Sequence, residues 1–118
     1  MVYFREPSGQ RRVLGIDSAR DPKPDPVADW KDLERRRVDN GDWRNYRRVR
    51  IDPVDYFVKG ADWEYTYDGT SARLHVLNRG FIAHPRQAHA IFWLTPDATW
   101  RDNLDEFELI ARTFKPIP

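Results

Sequence analysis

The feature that most restricts how this chain can fold is the run Ala61-Asp62-Trp63-Glu64-Tyr65-Thr66-Tyr67-Asp68-Gly69. Its three large aromatics fall at every second position, the period of a β-strand, with Asp62, Glu64 and Thr66 on the opposite face. Asp68-Gly69 then supplies a pair that tolerates left-handed backbone, the signal for a hairpin, and Ala72 to Ala83 returns as a long partner strand. A second constraint lies at the end of the chain. Trp100, Leu104, Phe107, Ile110, Ala111 and Phe114 recur at helical spacing, with acidic residues at the start and Arg112 and Lys115 at the end, matching the helix dipole. Thr99 and Asp102 resemble a capping box at its start, and Pro116 is expected to stop it.

Between these anchors the remaining elements follow from local chemistry. Val2 to Glu6 and Arg12 to Ile16 read as two strands about a Pro7-Ser8-Gly9-Gln10 turn. The prolines of Asp21-Pro22-Lys23-Pro24-Asp25-Pro26 forbid regular structure until Asp25 caps a helix and Pro26 takes its first position. Val27, Trp30, Leu33 and Val38 share one side of that helix, and Asn40-Gly41 ends it. Tyr46 to Ile51 alternates as a strand with Val49 and Ile51 inward and Arg48 and Arg50 outward, broken at Asp52-Pro53. His84-Pro85-Arg86-Gln87 turns into a last strand, Ala88 to Leu94. The expected fold is therefore α+β: an antiparallel sheet of about six strands with two helices packed on it, in one domain of 118 residues.

Composition excludes several function classes. There is no cysteine, so disulfides, thiol catalysis and Cys-ligated zinc are ruled out. A net charge of +1 gives no bulk field to attract nucleic acid or anionic lipid, and no run reaches the length of a membrane span. His75, His84 and His89 lie in no metal-binding spacing, although His84 and His89 flank one turn, so no metal is expected. Ser8, Ser18 and Ser71 lie outside any nucleophile elbow. Asp62, Glu64 and Thr66 read as a solvated strand face rather than a carboxylate pair for hydrolysis, so no catalytic residue and no cofactor is assigned.

Two stretches stand out as candidate ligand sites. The basic and aromatic segment from Trp43 to Arg50, represented by Arg48 and Arg50, suits a phosphate, carboxylate or acidic polymer better than nucleic acid, because Asp39, Asp42, Asp52 and Asp55 neutralise its flanks. The stripe Trp63, Tyr65 and Tyr67, with Trp93 on a neighbouring strand, is either a platform for sugars or an extended peptide, or the core face under a helix. In the second case Trp100 and Phe107 are the expected packing partners.

Asp52-Pro53-Val54-Asp55-Tyr56-Phe57, Ala61 to Tyr67 and Val76-Leu77-Asn78-Arg79-Gly80-Phe81 together resemble the C-terminal domain of actinobacterial, especially streptomycete, serine/threonine protein kinases. Tyr3 to Gly9, Ala90 to Pro96 and the Trp100 to Phe114 helix extend the resemblance over nearly the whole chain. It implies a Mog1/PsbP-like fold and a non-catalytic sensor or docking domain on the extracytoplasmic side of the membrane. The kinase domain and a membrane helix would lie in the same parent chain. An assembly module of the PsbP/Mog1 type is the alternative, and a small hydrolase the remotest. Because the chain enters mid-element and the family domain begins further upstream, the expected boundaries are those of an excised module without its first strand. The glycine-rich loop, the His-Arg-Asp triplet and the Asp-Phe-Gly of a kinase are absent from the sequence.

Overall fold

The computed structural model describes residues 2–5, 12–19, 25–84 and 87–115, with the backbone alone for 2–5 and 17–19. The strands are β1 (Val2–Arg5), β2 (Val13–Ala19), β3 (Arg44–Val54), β4 (Lys59–Asp68), β5 (Arg73–His84) and β6 (Gln87–Pro96). Helix α1 (Pro26–Asp39) separates β2 from β3, and a 3-10 turn (Asp97–Thr99) leads from β6 into α2 (Trp100–Thr113). All six strands form one antiparallel sheet in the order β1-β2-β6-β5-β4-β3. The turn expected at residues 7–10, the prolines at 22 and 24, the turn at 85–86 and the stop at Pro116 lie outside the described residues.

Each face of the sheet carries one helix. On the first face Val27, Trp30 and Leu33 of α1 pack on Ile51, Trp63, Tyr65 and Val76. On the second, Trp100, Phe107 and Ala111 of α2 pack on Leu77, Phe81, Ile91 and Trp93, with Leu104, Ile110 and Phe114 at the margin. The aromatic stripe of β4 is thus core, but its partner is α1, not Trp100 and Phe107. The polar face of β4 is not solvated either. Asp62 is 1% exposed and Thr66 is buried beneath neighbouring side chains.

The local devices at α1 act as the sequence predicts. The Asp25 carboxylate accepts from the Val27 N–H at 3.0 Å, with Pro26 next to the cap; such a cap contributes about 1 kcal/mol. Gly41, at φ +70°, closes the far end, with its own N–H donating to Val38 O and that of Asp42 to Arg37 O. Val38, expected on the apolar side, is instead exposed. At α2 the anticipated capping box does not form: Thr99 makes no side-chain cap, and the 3-10 turn delivers the chain into the helix instead. Gly80 fixes the seating of α1. A Cβ there would stand 2.8 Å from the Trp30 ring, so only bare backbone lets the indole lie on β5. From that seat Trp30 Nε1 donates to Ala61 O at 2.9 Å.

Strand β3 departs from expectation in three ways. It runs on through Pro53 to Val54, because it is an edge strand and a missing N–H costs nothing on the unpaired side. Its register also slips twice, between Arg44 and Arg47 and between Arg48 and Arg50. Asn45 accommodates the first slip at φ 52°. At the second, Val49 is the extra residue and points outward, half exposed rather than inward.

Candidate functional site

The second slip separates the two arginines that the sequence pairs on one outward face. Arg48 stands opposite Tyr65 on the α1 side, whereas Arg50 stands opposite Glu64 on the α2 side. Arg48 is engaged by α1: its Nε donates to Glu34 Oε2 at 2.7 Å, its terminal nitrogen holds Oε1, and Tyr46 donates to the same carboxylate at 2.5 Å. Trp63 Nε1 in turn donates to the Tyr46 hydroxyl at 3.0 Å. Four side chains from β4, β3 and α1 therefore form one chain of hydrogen bonds. Arg48's hydrogen bond is the main cause that holds the Glu34 carboxyl below its ordinary value, against the opposing effect of burial. Burial, with the bond to Glu34, pushes the Tyr46 phenol up.

The aromatic candidates do not make a flat platform. Trp63 is 1% exposed and Tyr65 is buried with it, stacked among Trp43, Tyr46 and Tyr67 at centroid distances of 4.6 to 6.1 Å. Trp93 is buried on the opposite face, in register with Leu77, and β5 lies between its strand and β4. Of this set only Tyr67, with Trp43 and Tyr46 around it, reaches the surface in part.

The α2 side of β4 and β5 holds the charged groups that the sequence places on a solvated face. Asp62 accepts from Arg79 Nε at 2.8 Å and from its terminal nitrogen at 2.9 Å, a two-pronged pair, and Arg50 adds a contact at 3.3 Å. The Arg79 guanidinium also lies 5.0 Å from the Tyr56 ring and 5.2 Å from that of Phe107, which carries the network to α2. Burial works to lower the Arg79 pKa, but the bond and charge of Asp62 outweigh it and leave it raised.

Beside this pair His75 is held at both ring nitrogens. Nδ1 lies 2.9 Å from Asp97 Oδ1 and Nε2 lies 2.6 Å from Glu64 Oε2, while the ring stacks on Trp100 at 3.8 Å. Arg50 Nε donates to the other Glu64 oxygen at 3.0 Å. Burial would raise the Glu64 pKa, but His75 and Arg50 together hold it below the ordinary value. With both ring nitrogens facing carboxylates, His75 presents no unoccupied ring nitrogen to a substrate. The cluster joins β3, β4, β5 and the turn before α2, which is structural work. His84 and His89, by contrast, do not converge: His84 is exposed, opposite Gln87, and His89 is buried against Phe81 and Phe114. Among the described residues no three His, Asp or Glu side chains could hold a metal ion.

What sequence reasoning missed is a row of arginines. Arg44, Arg47 and Arg50 stand opposite Asp68, Thr66 and Glu64 respectively, alternate residues of β4, so all three lie on the α2 side. A spacing of three reads as helical in a sequence; two bulges convert it into one strand face. The anchoring signal was available in part, since the Asp68-Gly69 hairpin fixes Thr66 opposite His75 and Glu64 opposite Leu77.

Two solved structures share the fold. A Pseudomonas aeruginosa protein of unknown function superposes with a TM-score of 0.73 at 12% identity, covering 99% of this chain and 83% of its own. Cyanobacterial PsbP (CyanoP) from Synechocystis sp. PCC 6803 superposes with a TM-score of 0.72 at 14% identity, covering 98% of this chain and 73% of its own. No curated protein matches the sequence. The antiparallel sheet with a helix on each face is thus of the PsbP-like type, as the resemblance implied. The family described as serine/threonine kinase C-terminal domain matches residues 1–116, and the chain belongs to that family.

Proposed function

We propose that this domain is a non-catalytic sensor or docking module of a membrane-anchored bacterial serine/threonine protein kinase, displayed on the extracytoplasmic side. The observation that carries the reading is the family match over residues 1–116. The site chemistry is consistent with it, because the buried charges are consumed by one another and both nitrogens of His75 are occupied. No described helix is long and apolar enough to cross a membrane; in this reading the membrane helix belongs to the parent chain. Binding of a ligand or neighbour outside would shift the tethered kinase between monomeric and paired states by its different affinity for the two.

The test uses the parent kinase reconstituted in lipid vesicles. Deleting this domain is expected to change the autophosphorylation rate; an unchanged rate with and without the domain would sink the sensor reading. For placement, Ser71, an exposed loop residue, is replaced by cysteine in a parent freed of other thiols. A membrane-impermeant maleimide is expected to label it on intact cells. A second reading, an assembly module, is favoured by the exposed apolar pair Phe57 and Val58, the latter 68% exposed. Phe57 sits at φ 54°, a conformation costing a bulky residue roughly 1–2 kcal/mol, with its ring stacked on Phe81 at 5.1 Å. That reading predicts that Val58→Asp abolishes a partner complex while leaving the fold intact.

A further inference from the structure

The arginine row is not evenly neutralised. At the Arg50 end the charges balance: Arg50 and Arg79 face Glu64 and Asp62. At the other end the side chains of Arg44 and Arg47 are exposed and hold no hydrogen bond or salt bridge to any described residue. Arg73 joins them across β4, donating to Asp68 at 2.8 Å, to Thr66 Oγ1 at 2.8 Å and to Asn45 O at 2.8 Å. Three guanidinium groups there meet one carboxylate, Asp68, and the residue opposite Arg47 is the neutral Thr66. Asp68 is itself held below its ordinary pKa, first by the Asn45 amide at 2.5 Å, then by Arg73, with Arg44 adding its charge. Helix α2 packs on β5 and β6, with Trp100 at its start stacked on His75, the residue opposite Thr66.

From this geometry we infer that Arg44, Arg47 and Arg73, with Thr66 between them, form a binding site for a phosphate group. The inference deepens the sensor reading by naming the ligand chemistry, and it rests on that reading only for its consequence in the kinase. Two uncompensated positive charges match a phosphate dianion, which carries a charge of about −1.5 to −2 at pH 7. Arginine offers a planar fork that meets phosphate oxygens two at a time, where lysine offers a point charge. Arginines drawn from two strands, β3 and β5, suit a tetrahedral acceptor better than the single plane of a carboxylate. Asp68 is already bound by Asn45 and Arg73, so its charge is partly met within the cluster. An extended peptide adding to the β3 edge is disfavoured, because two bulges and Pro53 interrupt the outer backbone.

The experiment is an NMR titration of the 118-residue chain with inorganic phosphate, glycerol phosphate and succinate, at ionic strength held constant with chloride. Saturable shifts confined to Thr66, Arg73 and their neighbours are expected with both phosphates. Affinity should rise as pH passes about 6, where the second phosphate proton leaves. Tighter binding of glycerol phosphate would assign the ligand to phosphate esters, tighter binding of inorganic phosphate to the free ion. Arg47→Gln is expected to weaken binding at least about tenfold and Arg47→Lys less, while Arg35→Gln, on α1 and paired with Asp32, leaves it unchanged. Each variant is checked for an unchanged melting temperature, which exposed positions should preserve. Succinate binding as tightly as phosphate, shifts that do not saturate, or an undiminished response in Arg47→Gln would each overturn the assignment. Any of those results leaves the kinase deletion test untouched, so the two readings fail separately.

Discussion

Where α1 lies on the sheet, the contact is made by rings: Trp30, Trp43, Tyr46, Trp63 and Tyr65 crowd together, and the polar groups among them sit at the margin with Glu34 and Arg48. Where α2 lies, an equally dry apolar cluster around Phe81, Ile91 and Phe107 stops short of β3, and the outer part of the face is filled by charge. One face is thus closed by non-directional burial and the other half-closed by directional pairs. Burial tolerates small shifts at modest cost, whereas a buried ion pair stabilises only while its geometry and all its partners are present. The α2 side is accordingly where a ligand that alters charge would be felt.

The largest effect is expected from emptying the α1 side. Trp63→Ala removes the ring that touches Trp30, Trp43 and Tyr65, together with the N–H that the Tyr46 hydroxyl accepts. Loss of a buried aromatic of this size costs about 3–5 kcal/mol, read as a lowered urea midpoint with an unchanged slope. A loss below about 1 kcal/mol would show that α1 is held by something other than this cluster.

Breaking the α2 side through one partner should come next, with a different signature. Asp62→Asn leaves the Arg79 guanidinium, itself 12% exposed in its side chain, without its two-pronged acceptor, at a cost of about 3 kcal/mol. Adding Arg79→Met should recover part of that loss, because it removes the stranded guanidinium charge and leaves only the neutral amide of the Asp62→Asn side chain. A double-mutant cycle in urea measures the coupling. If the two losses simply add, the pair is not the unit that the geometry describes. No such second-site rescue is expected for Trp63→Ala, and this is the sharpest way to separate the two faces.

How far the sequence discloses this contrast depends on the element. The period of Trp63, Tyr65 and Tyr67 names a strand with one aromatic face, and the Trp100 to Phe114 stripe names a helix, because both periods persist over their full length. Parity does not say which helix covers which face. That choice follows from the passage of α1 over bare Gly80, a contact made by residues 50 positions apart that no local pattern records. The charged face reads as solvated in the sequence because alternation distinguishes polar from apolar, not wet from dry. Asp62 is dry only because Arg79, seventeen residues on, and Arg50 fold over it. On β3 the alternation itself fails. Val49 takes an extra place, so Arg48 and Arg50 part company, and Arg44 and Arg47 join Arg50 instead. Bulges at an edge strand leave little mark in a single sequence, and here they decide where the candidate site lies.

The smallest effect distinguishes the carboxylates that tie each helix region to the sheet. Glu34, which faces Arg48 and Tyr46 on the α1 side, and Glu64, which faces His75 and Arg50 on the α2 side, both titrate below their ordinary value of 4.5 in the folded protein. For a carboxyl depressed in this way the stabilisation is fully present above the unfolded pKa. It is lost as pH falls through the folded one, because the unfolded chain then binds the proton first. Wild-type stability should therefore decline below about pH 4.5. The gap between wild type and Glu34→Gln, or Glu64→Gln, should be widest near pH 5.5 and should shrink by pH 3 as the wild type gives up the same interaction. Urea midpoints at these two pH values check it. A gap that holds constant to pH 3 for Glu64→Gln but closes for Glu34→Gln would mean that the α2-side network holds its shape without the ionised carboxylate. In that event the directional account of that face gives way to simple packing, and the two faces become alike.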